Sequence, residues 1–427
     1  MARSPAAQRA RSDAGLRALF EPQSIAIIGA SSNPDKISGM PLAFLKRYGY
    51  AGAIYPVNPT SAQIQGLAAY PSLEAIASPV DLAICAVGAD RVEAALADAA
   101  RAGVRSVVMF SAGYAEIGEA GQRAQQRVAA LARDAGIRLL GPNCLGFINV
   151  CANVHATFTP ALMSGVPKPG PIAIVSQSGA FGMFALVRAR ERGLGIGWFV
   201  STGNEADVDF ADCVLHFATD PSVGVILGYL EGARDGARLV EALQTAQRQR
   251  KPVVVCKAGS SALGASAAAS HTASLAGRDA VYDAVFRQHG VHRAESLDEL
   301  FDVGYAAAAG RYPSGRRLGV VTISGGAGVT VADAAERCGL QLPPLADSAR
   351  QRILQRVAYA GVANPVDVTG QVLNDLPLLG DTVEWMLEQG DYDALLSFQA
   401  VTGITPQHRE LLAPTWRKLR AAHPQLP

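Results

Sequence analysis

The chain has 427 residues, a formal net charge of +1, 49% apolar side chains and 18% charged ones. That length exceeds one ordinary core and predicts two or three domains. The neutral balance gives no electrostatic case for nucleic acid or an anionic membrane surface, and no apolar run reaches the ~20 residues of a spanning helix.

In chain order, the opening "MARSPAAQRARSDAGLRALF" is Arg-rich and lacks the apolar core of a secretory signal, so it reads as a frayed arm with a short helix, residues 1–17 being the flexible arm. A first apolar run and Gly/Ser turn, "SIAIIGASSNPDKISG", begins at residue 24. It is followed by the strand candidates "AIYPVNP", "DLAICAVG", "SVVMFSAG" and "RLLGPNCLG". The Pro/Gly-rich stretch 150–171 reads as a linker. The opening repeats as "PIAIVSQSGAFG" from residue 171, with "IGWFVSTGN", "VGVILGYLEG" and "PVVVCKAG" after it. A second linker is expected over 306–317. The third opening is "RLGVVTISGGAGV", followed by "NPVDVTG" as an edge strand and "YDALLSFQAVTG".

Uninterrupted Val/Ile runs predict parallel strands buried on both faces, and each Gly/Ser turn brings free N–H groups to a helix start. The expected fold class is α/β, with three doubly wound parallel-sheet domains. They cover residues 18–150, 165–308 and 316–427, the last of them shortened.

The first turn departs from a dinucleotide fingerprint. Gly29 stands almost alone, and "AIYPVNP" ends without the acid that would hold a ribose. Lys36 just inside the turn suits a phosphate-bearing ligand other than NAD, although Gly29 alone could serve a tight strand–helix turn. Cys85, Cys144, Cys151, Cys213, Cys256 and Cys338 show no CxxC spacing, which fits a reducing cytoplasm and predicts no metal site. One histidine stands apart. His271, in "AAASHTASLAGRD", has almost nothing bulky around it. His155, His216, His289, His292, His408 and His423 lack metal-ligand spacing and read as surface or loop residues.

Seven stretches then fall in one order: "GASSNPDKISGMPLAFLKRYGYAGAIYPVNP", "GPNCLGFIN", "IVSQSGAFG", "STGNEADVDFADCVLHFATD", "YLEG", "SHTASLAG" and "NPVDVTG". Together they resemble the α-type portion of nucleoside-diphosphate-forming acyl-CoA synthetases, a family that includes ADP-forming acetyl-CoA synthetase and, more distantly, succinyl-CoA synthetase. The likeness runs from about residue 18 to about residue 403.

The resemblance implies a CoA-binding Rossmann-like domain and two flavodoxin-like domains. It also implies reversible formation of acyl-CoA from a carboxylic acid, CoA and ATP, through an acyl phosphate and a phosphohistidine. His271 matches the carrier histidine and Glu231 the acid that partners it. Gly29, Ala30, Ser31, Ser32, Lys36, Val57, Asn58, Pro59, Ser111, Ala112 and Gly113 match CoA-contacting segments, the last three within "SAGYAE". Ser176, Gln177, Ser178 and Gly179 match the phosphate-binding helix start.

The chemistry suits these residue types. Neutral imidazole is a phosphoryl acceptor near neutral pH, and a carboxylate on its other nitrogen fixes the tautomer. Helix-start amides hold phosphoryl charge. The turn "SGGAGV" (324–329) is a second phosphate candidate or a packing device.

No ATP-grasp segment or GxxxxGK[ST] motif is seen in the sequence. ATP/ADP and Mg are therefore expected on an ATP-grasp β-type partner, with homo-oligomerisation also open. A non-catalytic CoA- or acyl-CoA-binding protein, or a remnant, is the alternative.

Overall fold

The computed structural model describes residues 14–261, 263, 264, 266 and 278–427. The chain divides into two compact units, Met1–Ala308 and Ala309–Pro427.

The first unit contains two principal sheets. One is built from β1 (Ser24–Ile28), β2 (Ala53–Val57), β5 (Leu82–Cys85), β6 (Ser106–Met109) and β7 (Arg138–Leu140), in the order β2-β1-β5-β6-β7. A small hairpin of β3 (Gln63–Ile64) and β4 (Leu67–Ala68) follows β2. All pairings in the five-stranded sheet are parallel. Its central strands are buried throughout, as the continuous apolar runs require. Because β2 and β5 flank β1, the order reverses there. The crevice beyond the carboxyl ends of β1 and β5 is where such sheets bind ligands.

The second sheet runs β14-β13-β12-β10-β11-β8-β9, with β8 (Gly146–Asn149), β9 (Val154–Thr157), β10 (Lys168–Ser176), β11 (Gly195–Ser201), β12 (Val225–Leu230), β13 (Val253–Lys257) and β14 (His292–Ala294). Five strands are parallel, and β8 and β9 add an antiparallel hairpin at one edge. The stretch beginning at residue 150, read from its composition as a linker, thus contains a sheet strand and a 3-10 turn, Pro160–Ser164. Composition misleads here because the glycines, Gly165 and Gly170, come after the hairpin, at the end of the 3-10 turn and within β10, while Val154 and Ala156 of β9 are buried.

Helices cover both sheets: α1 (14–20), α2 (Met40–Arg47), α3 (Ala89–Arg101), α4 (Glu119–Ala135), α5 (Gly179–Glu191), α6 (Phe210–Thr219), α7 (Gly236–Arg248), α8 (Asp279–Gln288) and α9 (Leu297–Ala308). The short helix expected in the opening stretch is α1, which takes in residues 14–17 of the arm, with Leu16 buried. Residues 1–13 of that arm lie outside the described residues. Phe20 fixes α1 by edge contacts to Phe147 and Trp198, at centroid distances of 5.4 and 6.0 Å.

A charged cluster ties the two sheets together. Arg138 of β7 donates to Asp207 at 2.8 Å and to Asp212 at 2.6 Å, and Arg238 of α7 donates to the other Asp212 oxygen at 2.8 Å. Burial works against the Arg138 charge, but the two carboxylates outweigh it and hold the guanidinium above its usual range.

The second unit has a three-stranded parallel sheet, β16-β15-β17: β15 (Leu318–Thr322), β16 (Val366–Asp367) and β17 (Ala394–Phe398). "NPVDVTG" does form an edge. Its helices are α10 (Gly325–Arg337), α11 (Asp347–Arg356), α12 (Pro377–Gln389), α13 (Ala400–Ile404) and α14 (Pro406–Ala422). Among the described residues no helix is long and apolar enough to cross a membrane.

Candidate active site

At the carboxyl edge of the first sheet, the turn after β1 is made by backbone. Gly29 has φ +82°, and a Cβ there would lie 2.7 Å from Val87 Cγ1, so a side chain is excluded by both conformation and space. The Gly29 and Ala30 N–H groups donate to Val57 O at 2.9 and 3.2 Å. Asn58 Nδ2 donates to Ala30 O at 3.0 Å, and Gln65 Nε2 donates to Ser31 O at 2.9 Å. The Ser111 hydroxyl donates to Val87 O at 2.7 Å, beside Ala112 and Gly113. Ser32, Lys36, Pro59 and Ala112 are exposed. The expected segments Gly29–Ser32, Val57–Pro59 and Ser111–Gly113 therefore meet at the same edge, where the strand order reverses.

In the second sheet the turn after β10 leads into α5. Ser178 caps the helix by accepting the Phe181 N–H at 3.3 Å. The Gly179 and Ala180 N–H groups have no hydrogen-bond acceptor among the described residues. A Cβ on Gly182 would lie 2.8 Å from Ser176 Cβ, so glycine lets the helix start sit against the strand. The Ser176 hydroxyl is engaged internally and donates to Ser178 O at 2.6 Å.

The Gln177 amide bonds the backbone where β12 ends. Its Oε1 accepts the Glu231 and Gly232 N–H groups at 2.6 and 3.1 Å, and its Nε2 donates to Gly232 O at 2.7 Å.

Glu231 follows directly on β12 and is buried. Lys257, at the end of β13, donates to Glu231 O at 2.7 Å and lies 4.7 Å over the Tyr282 ring. Tyr282 accepts the Ala233 N–H at 2.8 Å. Burial pushes the Lys257 ammonium down, partly countered by Asp279 and Glu231.

Glu231, Gln177, Asn204, Glu205, Gln125 and Arg234 are among the residues lining a cavity of about 370 Å³ between α4 and the strand ends of the second sheet. Asn204 joins this cavity to the Ser111–Glu116 segment. Its Nδ2 donates to Glu116 and, at 3.1 Å, to Gln125 Oε1. Glu116 also accepts the Gly113 N–H at 2.6 Å. Burial raises the Glu116 carboxyl, but the hydrogen bonds from Asn204 and nearby backbone amides win and hold it below its usual value.

Glu205 behaves oppositely. Burial, with Asp209 nearby, pushes its carboxyl up to about 8, against the pull of Thr202, Gln177 and the Phe210 N–H. It holds a proton at neutral pH.

His271 lies outside the described residues. Two of the other histidines correct the surface reading. His155 sits within β9, fully buried against Tyr48, and burial lowers it to about 4, while His289 is buried after α8. Neighbouring strands and helices cover them, which spacing along the chain does not reveal. Sequence reasoning also assigned no role to Asn204, Glu205, Gln125 or Lys257. A polar run inside an apolar context, "STGNEADVDF", was the available signal for the first two.

The fold and this site define an α/β chain whose first unit, built on two principal sheets, brings a backbone-built ligand crevice close to a cavity lined by carboxyl and amide side chains. A family model for a CoA-binding domain matches residues 23–150, and one for a succinyl-CoA ligase-like flavodoxin domain matches residues 169–307. The chain is 40% identical over 359 residues to the α subunit of ADP-forming acetate–CoA ligase I of Pyrococcus furiosus, covering 83% of this chain and 77% of that one. It is 37% identical to the α subunit of ligase II of the same organism, with 92% and 84% covered. It also superposes on the dinucleotide-forming acetyl-coenzyme A synthetase 1 of Ca. Korarchaeum cryptofilum, solved with phosphate and ADP. The TM-score is 0.84 at 36% identity, over 90% of this chain and 82% of that one. The chain belongs to the family of ADP-forming acyl-CoA ligases, as an α-type chain.

Proposed function

We propose that the chain carries the acyl and phosphohistidine chemistry of a reversible ligase. A carboxylic acid, CoA and ATP give acyl-CoA, ADP and phosphate. In the synthetic direction a phosphoryl group on His271 passes to the carboxylate: the P–N bond breaks and a P–O bond forms. The CoA thiol, losing its proton, then attacks the acyl carbonyl of the resulting acyl phosphate and expels phosphate. Glu231 holds the second imidazole nitrogen and stabilises the charged ring. The free Gly179 and Ala180 amides at the start of α5 receive the phosphoryl oxygens, with Ser176 and Gln177 supporting that turn rather than binding phosphate. CoA lies along Gly29–Ser32, Lys36, Val57–Pro59 and Ser111–Gly113. ATP/ADP and Mg belong to an ATP-grasp β-type partner, and the ligase works in the cytoplasm. Exposed free Cys151 and Cys338 support a reducing compartment.

One observation carries this reading: buried Glu231 shares a cavity with Asn204, whose side chain bonds the Glu116 end of the CoA-matching segment. The test uses the full chain with ³²P-labelled acetyl phosphate. Acid-labile label on residue 271, absent from His271→Ala, is the expected result, together with acyl-CoA formation from acetyl phosphate and CoA without nucleotide. Equal labelling of His271→Ala overturns the assignment.

A further inference from the structure

Asn204 lies in the loop that joins β11 to α6 of the second sheet, yet its side chain bonds residues that come before that sheet's parallel strands. Nδ2 donates to Glu116 Oε2 and, at 3.1 Å, to Gln125 Oε1, while Oδ1 accepts the Asn143 Nδ2 at 3.2 Å. Both amide hydrogens and the carbonyl oxygen are thus engaged. Only this orientation fits, because a flipped amide would set its oxygen against the Glu116 carboxylate. The Asn204 backbone is held too: its N–H donates to Pro142 O at 2.9 Å, and its carbonyl accepts the Gln125 Nε2 at 3.3 Å. Gly203 permits the close approach, with φ +61° and a Cβ position only 2.4 Å from Pro142 O.

Two of the residues that Asn204 grips are those that hold the Ser111–Gly113 segment. Glu116 Oε1 accepts the Gly113 N–H at 2.6 Å, and the Asn143 N–H donates to Ser111 O at 2.9 Å. Gly113 has φ +100°, and glycine has the most conformational freedom to lose on ordering, so its geometry depends on that bond. The bond from Asn204 to Glu116 has an ionised acceptor, the stronger kind of hydrogen bond. Each end of the segment is therefore one residue away from the same side-chain amide.

We infer that Asn204 is a positioning residue for CoA binding: from the second sheet it fixes Glu116 and Asn143, and these fix the Gly113 N–H and the Ser111 carbonyl of the CoA segment. Asn204 also lines the cavity that holds Glu231. One side chain thereby sets the CoA segment in place relative to that carboxylate. Asn204 acts through its two partners and touches no reacting atom. The inference rests on the reading of Ser111–Gly113 as a CoA contact.

Titration calorimetry of the full chain with CoA provides the test. Asn204→Ala is expected to weaken CoA binding about tenfold, through loss of a bond to a charged acceptor. Glu116→Gln should weaken it about threefold in the native chain, because its NH2 end then faces a donor, either the Gly113 N–H or the Asn204 amide. In a chain that already carries Asn204→Asp, the same Glu116→Gln change should instead tighten binding about fivefold. There it turns two facing carboxylates into an amide donating to a carboxylate. A general loosening of the fold cannot produce that reversal. The Glu116→Gln comparison carries the test if Asn204→Ala does not fold. Native affinity in Asn204→Ala, or an effect of Glu116→Gln with the same sign in both backgrounds, would overturn the inference; tightening in both would show that Glu116 acts on CoA by its charge alone. A native chain that binds no CoA sinks the parent reading instead, a different outcome.

Discussion

The same strand–turn–helix opening occurs at β10–α5 and at β15–α10, and the two differ instructively. "VSQSGAFG" and "VTISGGAG" align residue for residue. In each, the last strand hydroxyl donates to the carbonyl two residues on, Ser176 to Ser178 O at 2.6 Å and Thr322 to Ser324 O at 3.0 Å. In each, a neighbouring loop N–H closes on that strand end, Thr202 N to Ser176 O and Val368 N to Thr322 O, at 2.9 and 3.0 Å. The backbone is the same device. The side chains are not.

Gln177 is matched by Ile323, which has no amide to grip a neighbouring strand. Counting from the paired residues Tyr229 and Phe398, Glu231 is matched by Ala400. The β10 turn thus collects a carboxyl–amide network, whereas at the β15 turn the Asp367 carboxylate lies close to Gly325. A Gly/Ser turn makes a helix start; strands distant in sequence decide whether chemistry surrounds it.

Four substitutions test that contrast. The largest effect should come from Glu231→Gln, which keeps shape but removes the charge that supports the imidazolium. Labelling of His271 should fall on the order of 10³-fold or more, measured from acetyl phosphate, while Ala400→Gln leaves it unchanged.

Next is Glu205→Gln, read by stability against pH. The folded value of about 8 lies above the ordinary 4.5, so between those limits the folded chain keeps a proton that the unfolded chain has lost. Native stability from this group therefore falls as pH rises from about 4.5 to about 8 and then levels off. Glu205→Gln lacks this slope. Its unfolding free energy should gain on the native chain between pH 5 and pH 8, by on the order of 4 kcal/mol, in urea titrations. A constant difference across that range would show that Glu205 is ionised throughout.

Third, Gly182→Ala puts a Cβ 2.8 Å from Ser176 Cβ, whereas the nearest atom to a Cβ on Gly328 is 3.3 Å away. Urea midpoints should show a loss of about 2 kcal/mol for the first and under about 1 kcal/mol for the second. Comparable losses would mean that both helix starts sit equally close to their strands.

The smallest contrast is capping. Ser178→Ala removes a side-chain bond to the Phe181 N–H and should cost about 1 kcal/mol, while Ser324, which makes no side-chain cap bond, should tolerate alanine within about 0.5 kcal/mol.

Much of this was legible beforehand. The three openings, the parallel strands and the edge position of "NPVDVTG" follow from apolar runs bounded by Gly, Ser and Pro. Gly29 and the absence of a ribose acid correctly separated the first turn from a dinucleotide fingerprint. The hairpin Gly146–Thr157 was not legible, because its pairing partner β11 lies some fifty residues on. Gln177, expected at a phosphate-binding helix start, is seen to bond the backbone of residues 231–232. A glutamine beside a Gly/Ser turn reads as a ligand donor, and its bonds to the backbone of residues 231–232 could not be read from the sequence. His271 lies outside the described residues, so its assignment stands on its motif.

By itself, the sequence determined where strands end and helices begin, since hydrophobic periodicity and turn residues act over a few neighbours. Only the tertiary structure decided which polar groups meet. Glu205, Gln177 and Glu231 come from three separate segments, and Asn204 reaches Glu116 across 88 positions. Burial is a property of that assembly, and burial is what keeps the Glu205 carboxyl protonated near neutral pH.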